Sequence, residues 1–216
     1  MDASSASIRT VPGPWLLPEE PAPVRLMNTV WADREGLHDA LSTPDALAAW
    51  LAAVGLPVPA PVDRADLARA LRLRDALRRL AAVVATPDDQ ADAACQADEA
   101  AAVVNATLAL DPRPPSLVHA GSGWHLVTPP PAEVGQALAR LAAEAAGLVA
   151  EPVPRLRACH GPGCVLHFVQ DHPRRAWCSA ACGNRARVAR HYARRRHPSA
   201  PGPDRPPDSP EDRPPE

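Results

Sequence analysis

Four of the five cysteines in this 216-residue chain, Cys159, Cys164, Cys178 and Cys182, fall within 24 residues as C-x4-C-x13-C-x3-C. Two short spacings separated by a longer one let each pair grip one side of a tetrahedral metal ion, and zinc is the metal such thiolate pairs select. The alternative, a pair of disulfides, suits oxidising compartments. The N-terminus MDASSASIRTVPGPW lacks the apolar centre of an export signal, and no apolar run approaches the ~18–20 residues that cross a bilayer. The chain is therefore read as cytoplasmic and reduced, with no membrane association. Cys95, in an Ala-rich stretch, is expected to be free and to act as a small buried hydrophobe.

The region around the four cysteines has little else to hold it together. Between residues 155 and 197 the large apolar side chains are Leu156, Val165, Leu166, Phe168, Val169, Trp177, Val188 and Tyr192. A unit this short needs a staple, and structural zinc contributes about 10–16 kcal/mol in comparable modules. Four thiolates fill the tetrahedron and leave no position for a reacting water, so one structural Zn2+ is expected. His160, His167 and His172 lie close enough in sequence to replace one cysteine as ligand.

Local signals outline the module. Cys159-His-Gly-Pro-Gly-Cys164 reads as a knuckle whose Gly161 and Gly163 permit positive dihedrals. Val165–Gln170 reads as a strand, Asp171-His-Pro-Arg-Arg as its turn, and Trp177-Cys178 as the return toward the metal. Ser179 is a good cap for a helix that carries Cys182 in its first turn and runs to about Arg195. The order knuckle, hairpin, ligand-bearing helix is that of a treble clef.

Charge singles out the same segment. Residues 1–154 carry 11 Arg against 19 acids, residues 155–197 carry 10 Arg against Asp171 alone, and residues 198–216 carry 2 Arg against 5 acids. A block at +9 within an acidic chain marks a nucleic-acid surface, or else a solvated arginine helix without a partner. Arg187, Arg190 and Arg194 follow i, i+3, i+7 spacing on one helical face, with Val188 and Tyr192 turned elsewhere. Arginine suits phosphates and guanine edges. Arg185, next to the ligands, either neutralises the anionic metal centre or joins Arg195 and the others in contacting nucleic acid. Gly183 and Asn184 shape the helix start.

Upstream, the pattern predicts a mainly α fold with one small β-hairpin, an α+β domain over residues 23–150. The first 22 residues are polar, Pro-rich and loosely held, and Val24–Val30 is compatible with a short strand. Thr43-Pro44-Asp45 opens a helix that Gly55 stops. Asp63 caps a second helix to about Ala85, with Leu67, Leu71, Leu77, Leu80 and Val84 inward and arginines outward. Asp88-Asp89 opens a third helix to about Leu110. Ser116–Ala120 and Trp124–Thr128 form the hairpin around Gly121-Ser-Gly. Ala132–Ala150 is a fourth helix, inward at Val134, Leu138, Leu141, Ala145 and Leu148. Residues 151–154 are a Pro-rich linker, 155–197 the finger, and 198–216, with eight prolines in nineteen residues, a tail unable to bury enough to fold.

Trp177-Cys178-Ser179 followed by Cys182-Gly183-Asn184-Arg185 resembles the signature of the CGNR zinc finger family, over about 43 residues. Upstream, Met27-Asn28-Thr29, Ser42-Thr43-Pro44…Leu47…Trp50-Leu51, Leu71–Arg78 and Asn105–Leu108 resemble the ABATE domain that precedes that finger. Asp171-His172-Pro173 replaces the family's asparagine- or serine-containing stretch, and Pro18, Pro21 and Pro23 interrupt its entry strand. The resemblance implies a stress-related transcription regulator with a DNA-binding finger. It also points to Asn28, Arg74, Arg78 and Asn105 as polar residues that line a pocket for a small effector, unless they cap helices or form surface ion pairs. RNA binding, a protein-interaction role, or a metal-dependent nuclease built on His160, His167 and His172 are the competing readings. The sequence carries no glycine-rich phosphate loop and no nucleophile–base pair, so catalysis is not expected.

Overall fold

The computed structural model describes residues 17–85, 91–151 and 155–196, with the side chains of residues 84, 85, 91–93, 194 and 196 excepted. The linker residues 152–154, the proposed helix start at Asp88-Asp89 and the tail 198–216 lie outside the described residues. In chain order the elements are α1 (Ala22–Met27), β1 (Val30–Ala32), β2 (Leu37–Asp39), α2 (Pro44–Ala53), α3 (Arg64–Ala85), α4 (Ala91–Leu108), β3 (Ser116–Ala120), β4 (Gly123–Val127), α5 (Val134–Val149), β5 (Leu156–Ala158), β6 (His167–Val169) and α6 (Ala180–Arg196). The strands form three antiparallel pairs, β1–β2, β3–β4 and β5–β6. The fold is mainly helical, with small hairpins and a cysteine cluster near the C-terminus.

The helix starts follow their capping chemistry. The Thr43 hydroxyl accepts the Ala46 N–H at 3.1 Å, and Pro44 occupies the first helical position of α2. Gly55, at φ +79°, ends it, with the Leu56 N–H donating back to the Leu51 carbonyl at 2.9 Å. Asp63 and Asp66 cap α3 reciprocally, each carboxylate accepting the other's N–H, at 2.8 and 3.2 Å.

Several local expectations are corrected. Val24–Val30 is not a strand. Pro21 and Pro23 fix helical entry dihedrals, and the six-residue α1 is held by burial of Val24, Leu26 and Met27; the strand begins only at Val30. Within the segment expected to be loose, Glu20 is buried. Along α3 the buried stripe is Ala70, Leu73, Leu77 and Ala81, with Leu67, Leu71 and Leu80 half-buried at its flanks. Alanines take the centre line because α4 and α5 both pack closely there. Arg74 is buried and Arg78 half-buried, so the outward arginines are Arg64, Arg69, Arg72 and Arg79. Cys95 is free but exposed, because α4 turns Ala100 and Val104 to the core. The strand in the finger pairs with β5, on the N-terminal side of the knuckle, and not with the Trp177-Cys178 return.

One apolar cluster joins α1, α2, α3, α4 and α5 and includes Leu156 of β5 and Val169 of β6. The finger's hairpin is thus part of the main core. A second, smaller cluster contains Cys159, Phe168, Cys178 and Cys182, with Leu166 and Trp177 packed on it.

Candidate metal centre

The knuckle sits at the end of the β5–β6 hairpin. The Cys159 N–H donates to the Leu166 carbonyl at 2.8 Å, and the Cys164 N–H to Gly161 at 2.8 Å, folding residues 159–164 into a tight turn. Gly163 has φ +71°, as expected of a knuckle glycine. Gly161 is required for space instead: a Cβ there would lie 3.0 Å from Cys182 Cβ and 3.3 Å from its sulfur. The other two cysteines come from the start of α6. The Ser179 hydroxyl accepts the Cys182 N–H at 3.3 Å, which caps the helix and fixes Cys178 and Cys182 one turn apart. Gly183 lets the Trp177 indole lie against α6, since a Cβ at that position would meet Trp177 Cδ1 at 2.9 Å.

All four sulfurs lie within 4.8 Å of one another, with Cys178 Sγ 3.5 Å from Cys182 Sγ and 3.8 Å from Cys164 Sγ. Zinc–sulfur bonds of ~2.3 Å in a tetrahedron place the sulfurs about 3.8 Å apart, so the donor set has the right size and chemistry for one Zn2+. The separations are far beyond the ~2.05 Å of a disulfide. Three of the four cysteines are buried and Cys164 is half-buried. Among the thiols, the hydrogen bond from Cys178 holds Cys164 down at about 5, while burial pushes Cys159 up. Cys178, donating to Cys164, is pushed up as well. Such a cluster binds a cation by releasing protons.

Around the sulfurs stand donors that suit an anionic centre. Arg185 Nη2 lies 2.9 Å from Cys182 Sγ, and the Cys178 N–H donates to Cys159 Sγ at 3.5 Å. Of the other arginines of α6, Arg187, Arg190 and Arg195 are exposed, and Arg190 Nε reaches only the Ala186 carbonyl, at 3.4 Å. The side chain of Arg194 lies outside the described residues. Among the described residues no histidine joins the cysteine grouping. His160 and His172 are exposed, and the His172 Nδ1 accepts the Arg174 N–H at 3.1 Å. His167 is buried, and burial with the nearby Arg78 charge pushes its pKa down to about 4.

Of the four polar residues singled out upstream, Asn28 and Arg78 reach the finger, while Arg74 and Asn105 do not. The Asn28 carboxamide brackets the His167 backbone, accepting its N–H at 2.7 Å and donating to its carbonyl at 2.9 Å. Arg78 bridges the Met27 and Val165 carbonyls, at 2.8 and 3.2 Å. Arg74 grips Asp39 through both carboxylate oxygens, at 2.7 and 2.9 Å, and reaches Thr29 Oγ1 at 3.1 Å. Asn105 lies apart, exposed on α4.

Sequence reasoning missed Glu20 and Arg175. The Glu20 carboxylate, 2% exposed, pairs with Arg175 at 2.5 Å and accepts the Val169 N–H at 2.9 Å. Arg175 also donates to the carbonyls of Val169 and Cys178, at 3.0 and 3.4 Å, and its guanidinium lies 4.9 Å from the Phe168 ring centre. No spacing signal links residues 155 positions apart.

A knuckle on a hairpin and a helix start, each supplying two cysteines to one cluster, define a treble-clef type of zinc finger. Comparison with family models extends this to the whole chain. Residues 20–152 match the ABATE family, described as "Putative stress-induced transcription regulator", and residues 155–195 match the CGNR zinc finger. The chain belongs to the ABATE family and carries a CGNR zinc finger after that domain. Among curated proteins none matches the chain. No helix of the described residues is long and apolar enough to cross a membrane.

Proposed function

We propose that Cys159, Cys164, Cys178 and Cys182 bind one structural Zn2+, and that the finger presents α6 to DNA as the binding element of a transcription regulator. The observation that carries this reading is the exposure of α6. Its first turns pack through Cys182, Gly183 and Ala186, after which Arg187, Arg190 and Arg195 are exposed, and no acid occurs between Asp171 and Asp204. A helix free of the body, with charge of one sign, matches the phosphate backbone. Arg185 belongs to the metal centre in this reading, where it offsets thiolate charge.

Val188 and Tyr192, 46% and 60% exposed, lie i, i+4 on the same helix. An aromatic ring beside arginines is also a stacking platform, so single-stranded RNA is the second reading. We also propose that the upstream domain senses a small effector, at an open cleft of about 550 Å3 between the β1–β2 turn (Asp33, Arg34, Glu35) and the knuckle (Pro162, Gly163), bordered by Arg185. A small polar effector seated there would touch both the upstream domain and a residue on the metal centre. The test is fluorescence anisotropy with labelled duplex and single-stranded probes across a salt series, with and without chelator. Absence of salt-dependent binding to any probe by zinc-loaded protein refutes the nucleic-acid reading.

A further inference from the structure

The β3–β4 hairpin has no place in the metal centre or in either apolar cluster. Its register pairs Leu117 with Leu126 and His119 with Trp124. Cross-strand partners share a face and alternate residues share it too, so these four side chains form one surface. Leu117, Trp124 and Leu126 are 65%, 68% and 69% exposed, and the His119 and Trp124 rings meet at 5.0 Å. Every residue of both strands except Gly123 is exposed. An isolated two-stranded hairpin is marginal in water, and burial of an apolar face is what stabilises one.

We propose that this face packs against the same face of a second copy of the chain, forming a two-fold symmetric dimer. Three observations favour a second copy over a different partner. Residues 116–127 contain no Asp, Glu or Arg, so nothing repels across a two-fold axis and nothing offers a charged partner a complementary field. The outer edges carry no charge or proline to block association, in contrast to the managed edges of monomeric sheets. The area is also adequate. Three side chains at these exposures together with the exposed His119 present on the order of 500 Å2, so two copies bury about 1,000 Å2, the lower bound for a specific interface.

The inference stands on the hairpin alone. A monomeric chain that still binds nucleic acid overturns it without touching the finger. The test is sedimentation equilibrium of the full chain from about 1 to 300 µM, loaded with zinc. Wild type is expected to self-associate to a dimer, and Leu126→Glu, which sets two charges across the axis, to weaken association by roughly 100-fold or more. Trp124→Ala, a milder change that keeps the hairpin neutral, is expected to weaken it at least 10-fold. Val118→Glu, on the opposite face, is expected to leave it within about threefold of wild type. Helical circular dichroism and zinc content should be the same in all four proteins. A monomeric wild type throughout the series, or a dimer indifferent to both Leu126→Glu and Trp124→Ala, overturns the proposal. Equal loss in Val118→Glu overturns the assigned face.

Discussion

Replacing Asn28 with Ala tests whether the finger is an appendage or part of the folded body. The carboxamide makes two hydrogen bonds to the His167 backbone, at 2.7 and 2.9 Å, across 139 residues of sequence. Both partners are buried. Removing the side chain leaves a peptide N–H and a peptide C=O without partners, at about 1–3 kcal/mol each. The expected loss is therefore about 2–6 kcal/mol, a large fraction of the ~5–15 kcal/mol that holds a typical domain. With a urea m value of ~2–3 kcal/mol/M, the midpoint falls by about 1–3 M. Far-UV circular dichroism and tryptophan fluorescence should report the same shift, because Leu156 and Val169 of the finger belong to the main core. Zinc stoichiometry should be unchanged, since Asn28 touches no cysteine. Asn105→Ala, exposed on α4, is the control and should stay within about 0.5 kcal/mol of wild type. A loss below about 0.5 kcal/mol for Asn28→Ala, or a fluorescence transition that shifts while the helices hold, refutes the argument.

The finger should hold one zinc per chain by elemental analysis, and Cys182→Ser should abolish it; unaltered metal content in that variant rejects the ligand set. Because the hairpin shares the core, Cys182→Ser should also lower the midpoint of the helical transition, and two fully independent transitions would contradict this. On duplex DNA, log K should fall with log salt at a slope of about −4 to −5, and Arg187→Ala with Arg190→Ala should weaken binding strongly at constant zinc content, whereas Arg185→Ala should primarily weaken zinc retention. His167 is neutral in the fold down to a pKa of about 4, below the ordinary histidine value of about 6.5, so unfolding takes up a proton between those values. Stability should fall as pH drops through 6.5 and level off near 4, by up to about 3 kcal/mol; His167→Asn, titrated with saturating zinc, should lose that part of the slope. Cys95, exposed, should be alkylated rapidly in zinc-loaded protein while the four clustered cysteines are protected, as mass spectrometry of the labelled chain would show.

Much of this was legible in the sequence, for identifiable reasons. A metal site built from two short spacings is nearly local, so the C-x4-C and C-x3-C pairs and the Ser179 cap marked the cysteine cluster before any fold was known. Helix α2 carries its own start and stop signals, α3 its Asp63 cap, and the β3–β4 hairpin its Gly-Ser turn. The charge block at 155–197 is likewise a property of composition, and it marks the exposed helix α6 without any knowledge of packing.

Tertiary structure decided what depends on distance. The stripe of α3 shifted to Ala70, Leu73, Leu77 and Ala81 because two further helices cover it, a crowding that periodicity within one helix does not encode. Cys95 proved exposed because an Ala-rich helix offers no contrast between its faces. Asn28, Arg78 and the Glu20–Arg175 pair became ties between the upstream domain and the finger only through pairings of 87 to 155 residues. A single sequence records the residue types able to hydrogen-bond but not which of them meet. Local chemistry determined the elements and the cysteine cluster; burial of unpaired polar groups, which only the assembled core can enforce, determined how the finger is held.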